Sequence, residues 1–184
     1  MATILIPLAT GFEEIEAVSL IDVLRRAGIK VIVASVNAKD EVQGANGITI
    51  KTDCPLEGFG VDDIDMILLP GGWGGTDILA EDTKVQTLLK AMDAKNKTIG
   101  AICAAPYALH CAGVLKENFT CYPSAEEKIR IQGYHENQKV VEDGNVITSR
   151  GPGTAICLGL YLVKKFCGDE MYNALRAGLI AEYC

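Results

Sequence analysis

The chain has 184 residues, 49% hydrophobic and 22% charged, which fits one globular domain over residues 1–184 and excludes a disordered or fibrous chain. Its 17 Lys and Arg against 24 Asp and Glu leave a net charge of -7. Such a chain has no long-range attraction to phosphate backbones or anionic lipid, so neither nucleic acid nor membrane is expected as a partner.

No secretory signal is expected, because Met1 to Leu8 lacks a basic start and Pro7, Glu13 and Glu14 cut its apolar run short. Thr3 to Leu8 is predicted as the first strand. Thr10 stands three residues before Glu13, a capping-box spacing, and an apolar pattern follows to Ala27 with Gly28 as the C-terminal cap. Lys30 to Val36 is a second strand, and Asn46-Gly47 marks a turn before Ile48-Thr-Ile, a short hairpin or edge excursion. Met66 to Leu69 is a strand, 71 to 75 a glycine loop, and Thr83 to Ala94 a helix with Leu88, Leu89 and Met92 inward.

Thr98 to Leu115 is uncharged for 18 residues, but Gly100, Pro106 and Gly113 make it a buried strand (to Ile102), a turn and a helix over Ala104 to Ala112 rather than a membrane span. Ser124, three before Glu127, is a second capping box, and Asp143-Gly144 turns into the strand Val146 to Ser149. Two last helices cover Thr154 to Phe166 and Asp169 to the end. Strands alternating with helical crossovers predict an α/β class with a mostly parallel central sheet and helices on both faces.

In such a sheet the ligand crevice lies beyond the carboxyl ends of the strands, and three loops qualify. In Gly100-Ala-Ile-Cys-Ala-Ala-Pro a buried strand delivers Cys103 to a tight turn, the layout of a nucleophile elbow. A helix N-terminus beside the sulfur is expected to favour thiolate and lower its pKa. A small buried hydrophobe is the plainer reading of any cysteine, and it is the one given to Cys111, Cys121, Cys157 and Cys167.

Leu69-Pro-Gly-Gly-Trp-Gly-Gly-Thr matches neither a dinucleotide nor a triphosphate cradle. Its glycines read as a flexible turn, or as a place where Gly71 and Gly72 present N–H groups to an oxyanion. In Glu13-Glu-Ile-Glu the acids complement the helix dipole by default. Glu16 is set apart by its apolar stripe of Leu20, Val23 and Ala27, where desolvation raises a carboxyl pKa, although Glu13 also lies above Leu20 and Leu24. His110, seven residues after Cys103, is about 10 Å along a helix and too far to deprotonate it, so it reads as a satisfied structural histidine. No spacing forms a zinc pattern, and no metal or cofactor is expected. Seven cysteines without a C-x-x-C pair, in a chain this long, point to a reducing cytoplasm without disulfides.

Gly11-Phe-Glu-Glu-Ile-Glu, Arg25-Arg-Ala-Gly, Leu69-Pro-Gly-Gly, Ala101-Ile-Cys-Ala-Ala-Pro and Ser149-Arg-Gly-Pro-Gly-Thr together resemble the ThiJ/PfpI superfamily in its DJ-one and YajL-type branch. The resemblance spans nearly the whole chain and implies a flavodoxin-like (Rossmann-like) sandwich that forms a homodimer. By position, Cys103 resembles the reactive elbow cysteine, Glu16 the protonated glutamate bonded to its sulfur, and Gly72 with Ala104 the backbone donors. Gly71, Arg150 and Pro152 resemble pocket-wall residues.

Tyr122, in Thr120-Cys-Tyr-Pro, stands where many members carry histidine, so no Cys-His pair is available there. The implied function is a cofactor-free, cysteine-dependent glyoxalase or deglycase acting on methylglyoxal or early adducts of Cys, Arg and Lys. The alternative is a redox-sensing stress protein or chaperone that uses oxidation of Cys103. The first helix supports association independently, since Ile15, Ala17, Val18, Leu20, Ile21 and Leu24 cover more of the wheel than one core face needs.

Overall fold

The computed structural model describes residues 2–184. Its frame is set by β1 (Thr3–Leu8), which pairs in parallel with β2 (Lys30–Ser35) on one side and β6 (Met66–Leu69) on the other. Between them in sequence lie the hairpin β3 (Glu41–Gln43) and β4 (Thr49–Lys51), paired apart from the main sheet, and the short edge strand β5 (Cys54–Pro55). Then β7 (Thr98–Ile102) and β9 (Val146–Ser149) extend the parallel sheet, and β8 (Val140–Asp143) closes it antiparallel to β9. The resulting order of seven strands is β5-β2-β1-β6-β7-β9-β8.

Side chains alternate across this sheet because successive strand residues point to opposite faces. Ile4, Ile6, Leu8, Met66 and Leu68 face α1 (Glu14–Arg26) and α6 (Ala155–Cys167), meeting Leu20, Leu24, Leu158 and Leu162. Leu5, Ile67, Leu69 and Ile99 face α2 (Trp73–Glu81), α3 (Thr83–Ala94) and α4 (Pro106–Ala112), meeting Leu79, Leu88, Leu89 and Leu109. The four-residue α5 (Glu126–Ile129) and the peripheral α7 (Asp169–Gly178) complete the helices. This is the expected mostly parallel α/β sandwich with helices on both faces. No helix among the described residues is long and apolar enough to cross a membrane.

Several local expectations are corrected. Helix α1 is capped by Glu13, whose side chain accepts from the Glu16 N–H at 2.8 Å, so Thr10 is not the cap. The glycine segment is not a free turn: α2 begins at Trp73, directly after Gly72 at φ 85°. Helix α4 starts at Pro106 rather than Ala104, leaving Ala104 and Ala105 in the turn. Ser124 sits at φ 82° outside α5 and makes no side-chain cap. The last helix stops at Gly178, short of the chain end. Cys111 and Cys167 are exposed rather than buried, and Cys157 is bonded to Cys184. His110 is exposed on α4 rather than a satisfied core histidine.

Gly72 is required twice over: its φ is left-handed, and a Cβ there would lie 2.5 Å from the Gly11 carbonyl oxygen and 2.7 Å from the Glu13 amide nitrogen. At Gly28, also left-handed at φ +77°, a Cβ would meet nothing within 4 Å. Gly28→Ala should therefore cost about 1 kcal/mol from backbone conformation alone, and Gly72→Ala about 3 kcal/mol because a steric clash is added. Urea denaturation of both variants measures the difference, and equal losses would contradict the close packing of the two loops.

Candidate active site

The carboxyl ends of β1, β6 and β7 lie side by side, so the loops that leave them meet over one point of the sheet edge. The loop after β1 is tied to the loop after β6 by the Glu13 N–H donating to the Gly71 carbonyl at 2.9 Å. The loop after β7 begins at Cys103, whose φ of 65° is unusual for a residue with a side chain. Its strained backbone is fixed from both sides: its N–H donates to the Ser149 carbonyl at 3.0 Å and its carbonyl accepts from the Tyr122 N–H at 2.8 Å. An elbow held this way aims the sulfur at the Gly71 loop.

Glu16 is completely buried. Its Oε2 accepts from the Gly71 N–H at 2.8 Å, while Oε1 has no nitrogen or oxygen partner. The group that engages the carboxyl besides Gly71 is the Cys103 thiol, a weak sulfur donor. Gly71 makes the meeting possible, since a Cβ there would lie 2.6 Å from the Cys103 Cβ and 2.7 Å from Glu16 Oε2.

Burial pushes the Glu16 pKa up to about 7, against the lowering effect of the Cys103 and Gly71 hydrogen bonds. The thiol is also pushed up, first by burial and then by the Glu16 charge and its hydrogen bond, while the Gly72 and Ala104 N–H groups pull the other way. The expectation of a lowered thiol pKa is thus corrected: burial raises it whichever form Glu16 takes, and ionised Glu16 raises it further. The physical reason is desolvation, together with an anion placed next to the sulfur. When Glu16 holds the proton that anion is gone, and the N–H groups of Gly72 and Ala104 remain to stabilise thiolate. Ionisation of Glu16 therefore acts on the thiol, raising its pKa further.

The mouth of the site is a cleft of about 250 Å³ lined by Tyr122, Arg150, Gly151, Pro152 and Thr154 among others. Tyr122, 46% exposed, packs its ring edge where Gly151 has no side chain; a Cβ there would be 3.2 Å from Tyr122 Cδ2 and 4.0 Å from Glu16 Oε1. Gly151 thus lies between the cleft and the buried Glu16. Arg150 contributes to this wall, but its Nε is buried without a partner and its charge acts on Cys121 and Tyr134.

All eight residues singled out from the sequence are gathered here: Cys103, Glu16, Gly72, Ala104, Gly71, Tyr122, Arg150 and Pro152. Sequence reasoning missed Ser149, Gly151 and Thr154. The Ser149 Oγ donates to the Lys139 carbonyl at 2.7 Å and meets Thr154 Oγ1 at 2.8 Å, which shapes the wall loop. Neither histidine belongs to the site, for His110 is exposed and His135 Nε2 pairs with Asn118 Oδ1 at 3.0 Å.

The raised carboxyl has a consequence for stability. A group with a folded pKa of about 7 and an ordinary value of 4.5 binds its proton more tightly in the folded state. Its contribution is full below pH 4.5 and lost as pH rises through 7. At about 1.4 kcal/mol per tenfold, the loss is capped at roughly 3 kcal/mol. Denaturation at pH 5 and pH 8 should show the parent losing this stability relative to Glu16→Gln, whose amide does not titrate. Parallel pH profiles would contradict the assignment.

A family model described as "DJ-1/PfpI family" matches residues 2–165. Protein dj-1beta of Drosophila melanogaster is 39% identical over 181 residues, covering 97% of both chains. Its crystal structure superposes with a TM-score of 0.93 over the same shares. A Caenorhabditis elegans protein named glutathione-independent glyoxalase DJR-1.2 is 37% identical over 175 residues, 95% of this chain and 92% of that one. Oxidized Toxoplasma gondii DJ-1 superposes with a TM-score of 0.91 at 34% identity, covering 98% of each chain. The sheet, the elbow and these likenesses agree, and the chain belongs to the DJ-1/PfpI family.

Proposed function

We propose that the protein is a cofactor-independent, cysteine-dependent glyoxalase that converts methylglyoxal to lactate, with early glycation adducts of Cys, Arg and Lys as further substrates. The observation that carries this reading is the buried Glu16 carboxyl, pKa about 7, set beside a thiol on a strained elbow. Such a pair supplies a nucleophile and a proton carrier from two side chains. The glyoxalase name of the 37% identical worm relative supports the same chemistry.

The steps follow from the geometry. With a proton on Glu16, the Cys103 thiolate adds to the aldehyde carbon, and the carbonyl electron pair moves to oxygen beside the Gly72 and Ala104 N–H groups. Each such donor is worth about 3 kcal/mol when aimed at a developing oxyanion. Glu16 protonates that oxygen, giving a neutral hemithioacetal, and then as carboxylate removes the proton from the same carbon. Returning it to the neighbouring carbon, while the hydroxyl proton passes from the first oxygen to the second, oxidises the first carbon and reduces the second, leaving a lactoyl thioester. Water cleaves the thioester to lactate and regenerates the thiol. Cys103 is only 8% exposed, which favours small aldehydes over protein-borne adducts.

The reading includes a two-fold homodimer in a reducing cytoplasm. Ile15 and Val18 on α1 are 59% and 47% exposed, and Ile48 of the hairpin is exposed as well. The Glu14 carboxylate accepts from Ile48 N–H at 3.3 Å, which holds the hairpin against α1, and exposed apolar side chains such as these suit association. A second reading, redox sensing through Cys103, is favoured by the same N–H groups, which suit the oxygens of an oxidised sulfur. The solved oxidized Toxoplasma relative supports it.

Lactate formation distinguishes the two. Cys103→Ser should abolish it. Tyr122→His should equal or exceed the parent, because imidazole is a general acid-base group and such a group contributes on the order of a hundredfold. Undiminished lactate from Cys103→Ser would overturn the mechanism, and none from the freshly reduced parent would favour the redox reading.

A further inference from the structure

We propose that Cys157–Cys184 is a second redox site, separate from Cys103, at which a dithiol reductant releases the C-terminal segment from the body of the fold. The bond joins the first turn of α6 to the last residue of the chain, 27 positions on, while Cys54, Cys103, Cys111, Cys121 and Cys167 stay free. What it fastens is held by shallow packing: Tyr172, Leu175 and Leu179 lie against the core only partly buried. No residue of α7 is fully buried. After α7, Ala181 is buried but Ile180 and Tyr183 are 74% and 52% exposed. Within the segment the Arg176 guanidinium donates to the Glu182 carbonyl at 2.8 Å and the Ala181 and Cys184 N–H groups donate to the Arg176 and Ala181 carbonyls at 3.0 Å, while the Lys139 amine donates to the Tyr183 carbonyl from the body of the fold.

Beside the bond lies a cleft of about 580 Å³, bounded by Lys139, Val140, Cys157, Tyr161, Tyr172 and Cys184. Reagents reach the sulfurs from this side, and Cys184 is the less buried of the two. A covalent tie between a buried helix and a peripheral segment outside the sheet is one whose cleavage changes the structure locally and leaves the sheet intact. Among the described residues it is the only disulfide, which fits a reversible device better than a scaffold that depends on staples.

The exchange balances without further reagents. A thiolate of the dithiol attacks Cys184 Sγ, forming a mixed disulfide and expelling Cys157 as thiolate, which takes up a proton. The second thiolate of the reductant attacks its own sulfur in the mixed disulfide and expels Cys184, which is protonated in turn. The reductant leaves as a disulfide; two electrons and two protons pass to the protein.

The test uses the full chain treated with oxidised glutathione or with dithiothreitol, read by thiol counting in denaturant and by hydrogen exchange of the C-terminal peptide. The oxidised protein should show five thiols and the reduced protein seven. Amide exchange over residues 179 to 184 should rise at least tenfold on reduction. Cys184→Ser should exchange fast in both conditions, and Cys103→Ser should switch like the parent. Seven thiols after treatment with oxidised glutathione would overturn the proposal. So would C-terminal exchange that reduction leaves unchanged. Neither readout involves turnover, so failure here and failure of the glyoxalase reading are told apart.

Discussion

A carboxyl group on the first helix reaches across the sheet edge to an amide of one loop and a thiol of another: Glu16 accepts from Gly71 N–H and engages Cys103. The rest of the site is arranged so that this contact can exist. Parallel pairing of β1, β6 and β7 brings three loops together. Missing side chains at Gly71 and Gly72 let the loops touch, and the strained Cys103 backbone aims the sulfur into the gap. Removal of any one of these features separates the thiol from its proton carrier.

Environment rather than residue type decides what a carboxyl does here. Glu14, two residues earlier on the same helix, is also buried, and burial works to raise its pKa. Hydrogen bonds from Asn46 N–H at 2.6 Å, Asn46 Nδ2 at 2.9 Å and Ile48 N–H outweigh that burial, and its pKa falls. It is a fixed anion that clamps the hairpin to α1. Glu16 has one amide donor and a thiol, too little to offset desolvation, so it stays near its titration point. One helix turn thus holds a structural carboxylate and a proton carrier side by side.

Much of the fold was legible because its periodicities are clean. The strands Met66–Leu69 and Thr98–Ile102 and the helix Thr83–Ala94 lie where the pattern predicts them. Helix α2 was not legible, because Gly74 and Gly75 in its first turn look like loop residues; they are there because Gly75 packs against Phe12, with a Cβ coming within 3.0 Å. The helical wheel left Glu13 and Glu16 undecided. The choice is made by a long-range contact, Glu13 N–H to the Gly71 carbonyl, which sets where the helix begins. The direction of the Cys103 shift was misjudged because a loop sequence does not reveal burial, and Cys157 and Cys184 give no local sign of their pairing.

The central claim is that Glu16 keeps a proton to near neutral pH beside the Cys103 sulfur, and a carbon-13 NMR titration of the Glu16 carboxyl carbon tests it most directly. The account predicts a midpoint close to 7, with the Cys103 signals moving in the same pH range and that transition lost in Glu16→Gln. A midpoint at the ordinary carboxylate value near 4.5, with Cys103 titrating independently of it, would contradict the account.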